Sequence, residues 1–325
     1  KATLVSGGIA NFPGSTMTLT NSTVSYNTAD VPGGIGNSGT LTINNSTISG
    51  NTATGGGTPP FDGCCGGVGN SGTLIINDSS VSDNTAAAGA GGIGNAGVAH
   101  VTNSTVSGNM ATLGNGGIGN NGALTLTNST VSNNTATAGS DNGGIGNGFG
   151  GTLTLTNSTV RNNTAGADNG GIQNSGSLAI TDSSVIGNTA SSGHNGGIGT
   201  DFAGTLTLTG STVSRNTAAL SNGGIGNSGT LTLTNSTVGD NTAGTAHGGI
   251  HNNGTLTLTN STISGNTAAG DGGGIPNNSP GTVVATNSTV SDNTAASGGG
   301  INNGGTANLK NTIIANNTGG NCVGA

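Results

Sequence analysis

The chain has 325 residues, 68 of them glycine, with 5% charged residues, 2% aromatics and a formal net charge of −7. All 11 acidic residues are Asp and the basic ones are Lys1, Arg161, Arg215 and Lys310, which excludes nucleic acid as a partner, because phosphate-backbone binding needs clustered Lys and Arg. Disorder is excluded by the strict recurrence of Val, Ile and Leu, collagen by the absence of Gly at every third position, and a transmembrane segment by the lack of any apolar run near 18 to 20 residues.

In chain order, the first recurring element is Gly-Gly-Ile, with Val once, whose third residue is Ile9, Ile35, Val68, Ile93, Ile118, Ile145, Ile172, Ile198, Ile225, Ile250, Ile275 and Ile301. The spacing is 25 to 27 residues with one gap of 33, a period at which each copy reads as one coil of a solenoid. A short strand is expected here, followed by Asn-Ser-Gly or Asn-Asn-Gly turn residues. Next comes "TLTLT", whose period of two sends Leu to one side of a strand and Thr to the other.

After it stands a corner residue, Asn21, Asn45, Asp78, Asn103, Asn128, Asn157, Asp182, Gly210, Asn235, Asn260, Asn287 or Asn311. Asn, Asp and Gly are the residues that accept a left-handed backbone. At Asn21, Asn45, Asn103, Asn128, Asn157, Asn235, Asn260 and Asn287 the corner is also Asn-Ser-Thr, an acceptor for N-glycosylation in a secreted protein. The last strand, "STVSxN", holds a β-branched column that includes Val131 and Val160. Three residues after each member lies Asn27, Asn51, Asn84, Asn109, Asn134, Asn163, Asn188, Asn216, Asn241, Asn266, Asn293 or Asn317. With stacked coils this column forms a ladder in which each amide bonds the next coil.

The fold class that follows is all-β: a right-handed parallel β-helix of about 12 coils of 25–27 residues, three strands per coil, forming one domain over residues 1–325. At a strand spacing of about 4.8 Å the rod would be roughly 55 to 60 Å long. An insertion is expected at 55–67, and an incomplete terminal coil or cap at 310–325.

The alternation of Gly-Gly-Ile with Val-x-x-Asn resembles the Gly-Gly-Ala/Ile and Phe-x-x-Asn repeats of polymorphic outer-membrane proteins, with Val in place of Phe, and resembles the right-handed parallel β-helix proteins that bacteria display. "KNTIIANNTGGNC" (310–322) is similar to the last coil of such proteins carrying a choice-of-anchor domain. The resemblance implies an extracellular or cell-surface setting and a structural or adhesive, non-catalytic role. The partners then expected are glycans, surface proteins or a copy of the chain itself, end to end or laterally; no cofactor is expected.

Two other functions have footholds. The outward columns Thr152, Thr154, Thr156; Thr205, Thr207, Thr209; Thr230, Thr232, Thr234; and Thr255, Thr257, Thr259 make a hydroxyl grid that resembles the ice-ordering faces of β-solenoid antifreeze proteins, interrupted by residues such as Ala123, Ala179 and Val284. Four residues before the Ile of three successive coils lie Asp141, Asp168 and His194, the best candidates for a cation site or for an acidic cluster like that of pectin-degrading enzymes. No nucleophile–base pair or zinc spacing accompanies them, and His247 and His251 read as isolated surface residues. The insertion offers a candidate binding loop in Pro59, Pro60, Phe61, Cys64 and Cys65.

Overall fold

A computed structural model describes residues 6–55, 65–138 and 142–324. Among them there is no helix, and 47 short strands assemble into four parallel sheets. Coils are numbered here by their Gly-Gly-Ile or Gly-Gly-Val, from coil 1 at Ile9 to coil 12 at Ile301. The first sheet runs from Ile9–Asn11 to Ile301–Asn303 and is closed by Cys322–Gly324. The second runs from Thr16–Thr20 to Thr306–Lys310 and the third from Thr23–Ser25 to Ile313–Ala315.

Equivalent residues pair directly. Val131 and Val160 are partners in the third sheet, and Leu206 and Leu208 pair with Leu231 and Leu233 in the second. The register crosses the long gap between coils 2 and 3 unchanged, with Ile35 opposite Val68 and Leu41 opposite Leu74. Of the insertion expected at 55–67, residues 56–64 lie outside the described residues.

A fourth strand, absent from the three-strand expectation, follows the Asn ladder and builds a sheet of 10 strands; in eight of them it is only Thr-Ala, for example Thr242–Ala243, and in the other two it is Thr85–Ala90 and Met110–Asn115. Two residues are too few to show a period, and the strand exists only because the neighbouring coils supply its partners. In coil 9 the interior is Ile225, Leu231, Leu233, Val238 and Ala243, one or two from each sheet and all buried. Burial of each large aliphatic contributes roughly 1.5 to 3 kcal/mol.

The small fourth-sheet residue and the Gly-Gly pair explain each other. A Cβ on Gly223 would stand 2.6 Å from the Thr242 carbonyl, and one on Gly224 would stand 2.6 Å from the Gly249 oxygen and 2.9 Å from the Asn241 amide nitrogen. Coils close by laying the backbone after the ladder Asn, Asn-Thr-Ala in most of them, on their own Gly-Gly, where no side chain fits.

Candidate functional site

The corner residues sit where the sequence placed them. All twelve, from Asn21 to Asn311, are exposed and have positive φ, between 44° and 58°. Several bond along the edge: the Asn45 amide donates to Asn21 Oδ1 at 2.6 Å and the Asn128 amide to Asn103 Oδ1 at 3.1 Å. From Ser46 to Ser288 the Ser after the corner is buried, and its hydroxyl accepts from the backbone N–H of the equivalent Ser one coil earlier, as in Ser211 N–H to Ser236 Oγ at 3.1 Å. The middle residue of the Asn-Ser-Thr acceptor therefore has a structural task of its own.

The Asn27-to-Asn317 ladder is continuous, each amide donating to the Oδ1 of the next at 2.9–3.0 Å. Its last rung is closed within the coil, where Asn321 Oδ1 accepts from the backbone and side-chain nitrogens of Asn317. A second ladder, unrecognised in the sequence, lines the first sheet as Asn11, Asn37, Asn70, Asn95, Asn120, Asn147 and Asn174, then Asn227, Asn252, Asn277 and Asn303. Six of these, Asn37, Asn70, Asn120, Asn174, Asn227 and Asn252, precede Ser-Gly or Asn-Gly and so read as turn chemistry. The signal that would have found them is alternation from Ile two residues earlier, which points both inward. The column breaks at Thr200, leaving Thr200 Oγ1 and Asn227 Oδ1 buried without partners.

On the second sheet, Thr205, Thr207 and Thr209 pair with Thr230, Thr232 and Thr234, and these with Thr255, Thr257 and Thr259, giving nine registered hydroxyls over three coils. Thr152, Thr154 and Thr156 are separated from them by the coil of Ser177, Ala179 and Thr181.

Asp168 and His194 are brought together, but through the main chain: Asp168 Oδ1 accepts from the His194 backbone N–H at 2.6 Å. Asp141 lies outside the described residues, as do Pro59, Pro60, Phe61 and Cys64. Cys65 is buried at the entry to the first sheet, not presented by a loop, and its carbonyl accepts from Gly33 N–H. Among the described residues no three His, Cys, Asp or Glu side chains gather as a metal site, and no helix is long and apolar enough to cross a membrane.

His247 and His251 are not isolated. Their rings stack with centroids 3.9 Å apart and planes at 21°. His247 Nδ1 lies 3.1 Å from Asn222 Oδ1, and His251 Nε2 lies 2.9 Å from the Asn278 amide. Burial lowers the pKa of both, and burial together with the neighbouring His247 brings His251 down to about 4. The four-residue separation hides this pair in the sequence, because their first-sheet turn brings them ring to ring.

The described aromatics also lie against expectation for such large side chains. The core holds none of them; Phe12, Tyr26, Phe149 and Phe202 all project outward, Phe149 84% and Phe202 86% exposed. The fold and these surfaces define a parallel β-solenoid of about twelve turns with Asn ladders inside and hydroxyl-rich strands outside. No protein-family model, no curated protein and no solved structure matches the chain.

Proposed function

We propose that this chain is a non-catalytic extracellular or cell-surface solenoid with a structural and adhesive role. The observation that carries the reading is the unbroken ladder from Asn27 to Asn317, running beside sheets that hold register through every coil. Such a column ties each coil to the next by side-chain as well as main-chain bonds and makes a stiff spacer. Its outward residues are mostly Thr, Ser and Asn, which offer hydrogen bonds without net charge to glycans or surface proteins. Beads coated with the purified chain should attach to glycan- or protein-coated surfaces several-fold above albumin-coated beads, and solution scattering should return a rod roughly 55 Å long. Absence of attachment, or depolymerisation of a polysaccharide by the chain, overturns the reading.

Ice binding is the second reading, favoured by the nine registered Thr of coils 8 to 10. Their spacing is about 6.7 Å along each strand and 4.8 Å between strands.

A further inference from the structure

We propose that the corner between the first and second sheets at coils 6 to 8 binds a neutral, extended polysaccharide, with Phe149 and Phe202 as its stacking platforms. This deepens the adhesive reading and rests on it. Most coils pass from the first sheet to the second through two residues, as in Ser175–Gly176. Coils 1, 6, 8 and 11 use four; in coils 6 and 8 these are Gly148 to Gly151 and Asp201 to Gly204, each turn closed by a 2.9 Å bond from the last N–H to the first carbonyl. Phe149 and Phe202 hold the same second position in these turns, and the flanking residues are in register: Asn147 with Asn174 and Thr200, and Thr152 with Ser177 and Thr205. The two turns are therefore two coil steps apart, roughly 10 Å, with the shorter turn of coil 7 forming a dip between them.

The dip is polar. Asp201 Oδ2 accepts from Gln173 Nε2 at 2.9 Å and from Ser175 Oγ at 2.5 Å, and Gln173 Nε2 also contacts Ser175 Oγ. Asp201 is exposed, so its carboxylate stays open to further donors. Coil 8 also has Thr200 in place of the ladder Asn, directly before Asp201 and Phe202.

A sugar ring matches this chemistry because it is amphipathic, with C–H groups on its face for a Phe ring and hydroxyls on its edge for a carboxylate and an amide. Two rings one disaccharide apart suit an extended chain. A protein partner fits less well, since two separated rings supply little of the roughly 1,000 Å² that a stable interface buries. Lys and Arg are absent from these turns, so nothing would offset the charge of an anionic polysaccharide beside Asp201.

The test is affinity electrophoresis of the whole chain in gels containing soluble mixed-linkage β-glucan, xylan or galactomannan. At least one should retard the parent. Phe149→Ala and Phe202→Ala should each weaken retardation about threefold to tenfold, and Asp201→Asn should change it measurably. Phe12→Ala, at the same kind of corner far along the rod, should not. These side chains are exposed, so the variants should keep the parent's circular dichroism. No retardation by any of the three polysaccharides, or retardation unchanged in the Phe149→Ala/Phe202→Ala double variant, sinks the proposal. No retardation of the parent by any of the three polysaccharides, with its bead attachment retained, would sink this proposal while leaving the adhesive reading intact.

Discussion

Thr200 pairs in register with Asn227 in the first sheet, yet Thr200 Oγ1 and Asn227 Oδ1 are both buried and neither makes a hydrogen bond. Everywhere else in that column where Asn follows Asn, the amide of one coil donates to the oxygen of the next. A Thr hydroxyl is too short to bridge the step, so one rung is missing from an otherwise repeated structure.

Thr200→Asn should therefore stabilise the protein. The new amide would accept from Asn174 and donate to Asn227, adding two hydrogen bonds and satisfying a buried acceptor. The gain should be about 1 to 2 kcal/mol, read as a rise in the midpoint of denaturant unfolding. An unchanged or lowered midpoint would show that the gap serves the local backbone of coil 8.

Asn134→Ala should do the opposite. Asn134 Oδ1 accepts from Asn109 N and Nδ2, and Asn134 Nδ2 donates to Val106 O and Asn163 Oδ1. Truncation strands several of these groups without water, at a loss of about 3 to 5 kcal/mol. Asn128→Ala, at an exposed corner with φ of 50°, should cost about 1 kcal/mol, chiefly through backbone strain, since its bond to Asn103 Oδ1 is exposed to water. Equal losses in the two variants would remove the ladder from the account of stability.

Gly224→Ala and Gly150→Ala separate contact from conformation. The first puts a methyl 2.6 Å from a carbonyl oxygen; the second meets nothing within 4 Å but sits at φ +81°. The expected losses are about 3 kcal/mol or more for Gly224 and about 1 to 2 kcal/mol for Gly150, measurable by thermal unfolding.

The His247–His251 stack should make stability depend on pH. His251 falls from 6.5 to about 4 in the fold, so between those values the unfolded chain binds the proton that the folded chain refuses. Its contribution is whole above pH 6.5 and is lost as pH falls toward 4, an effect on the order of 3 kcal/mol. Comparing melting of the parent and His251→Gln at pH 7 and pH 4 isolates it: the parent should lose more. Equal losses would mean that the ring titrates normally.

If the Thr grid orders water, the parent should show thermal hysteresis, and Thr232→Tyr at the centre of the nine hydroxyls should abolish it. A parent without hysteresis ends the ice-binding reading.

Much of this molecule was legible in its sequence because a solenoid gives equivalent residues equivalent surroundings, so a physical requirement appears as a column. The left-handed corners, the Asn27-to-Asn317 ladder and the alternation of Leu with Thr could each be read that way. The first-sheet ladder was masked by a competing signal, since Asn before Ser-Gly is also good turn chemistry. Single-coil features, such as the Phe149 and Phe202 turns, have no column to reveal them.

The sequence by itself determined the period, the parallel stacking and which aliphatics face inward, because those follow from side-chain alternation and from one coil's inability to bury its own face. Only the tertiary structure decided how each coil closes on itself. That closure sets the fourth strand, the demand for Gly-Gly, the meeting of His247 with His251 and the outward place of Phe12, Tyr26, Phe149 and Phe202. All of these depend on the angle at each corner and on backbone passing within van der Waals reach of backbone, distances that no pattern of residue types encodes.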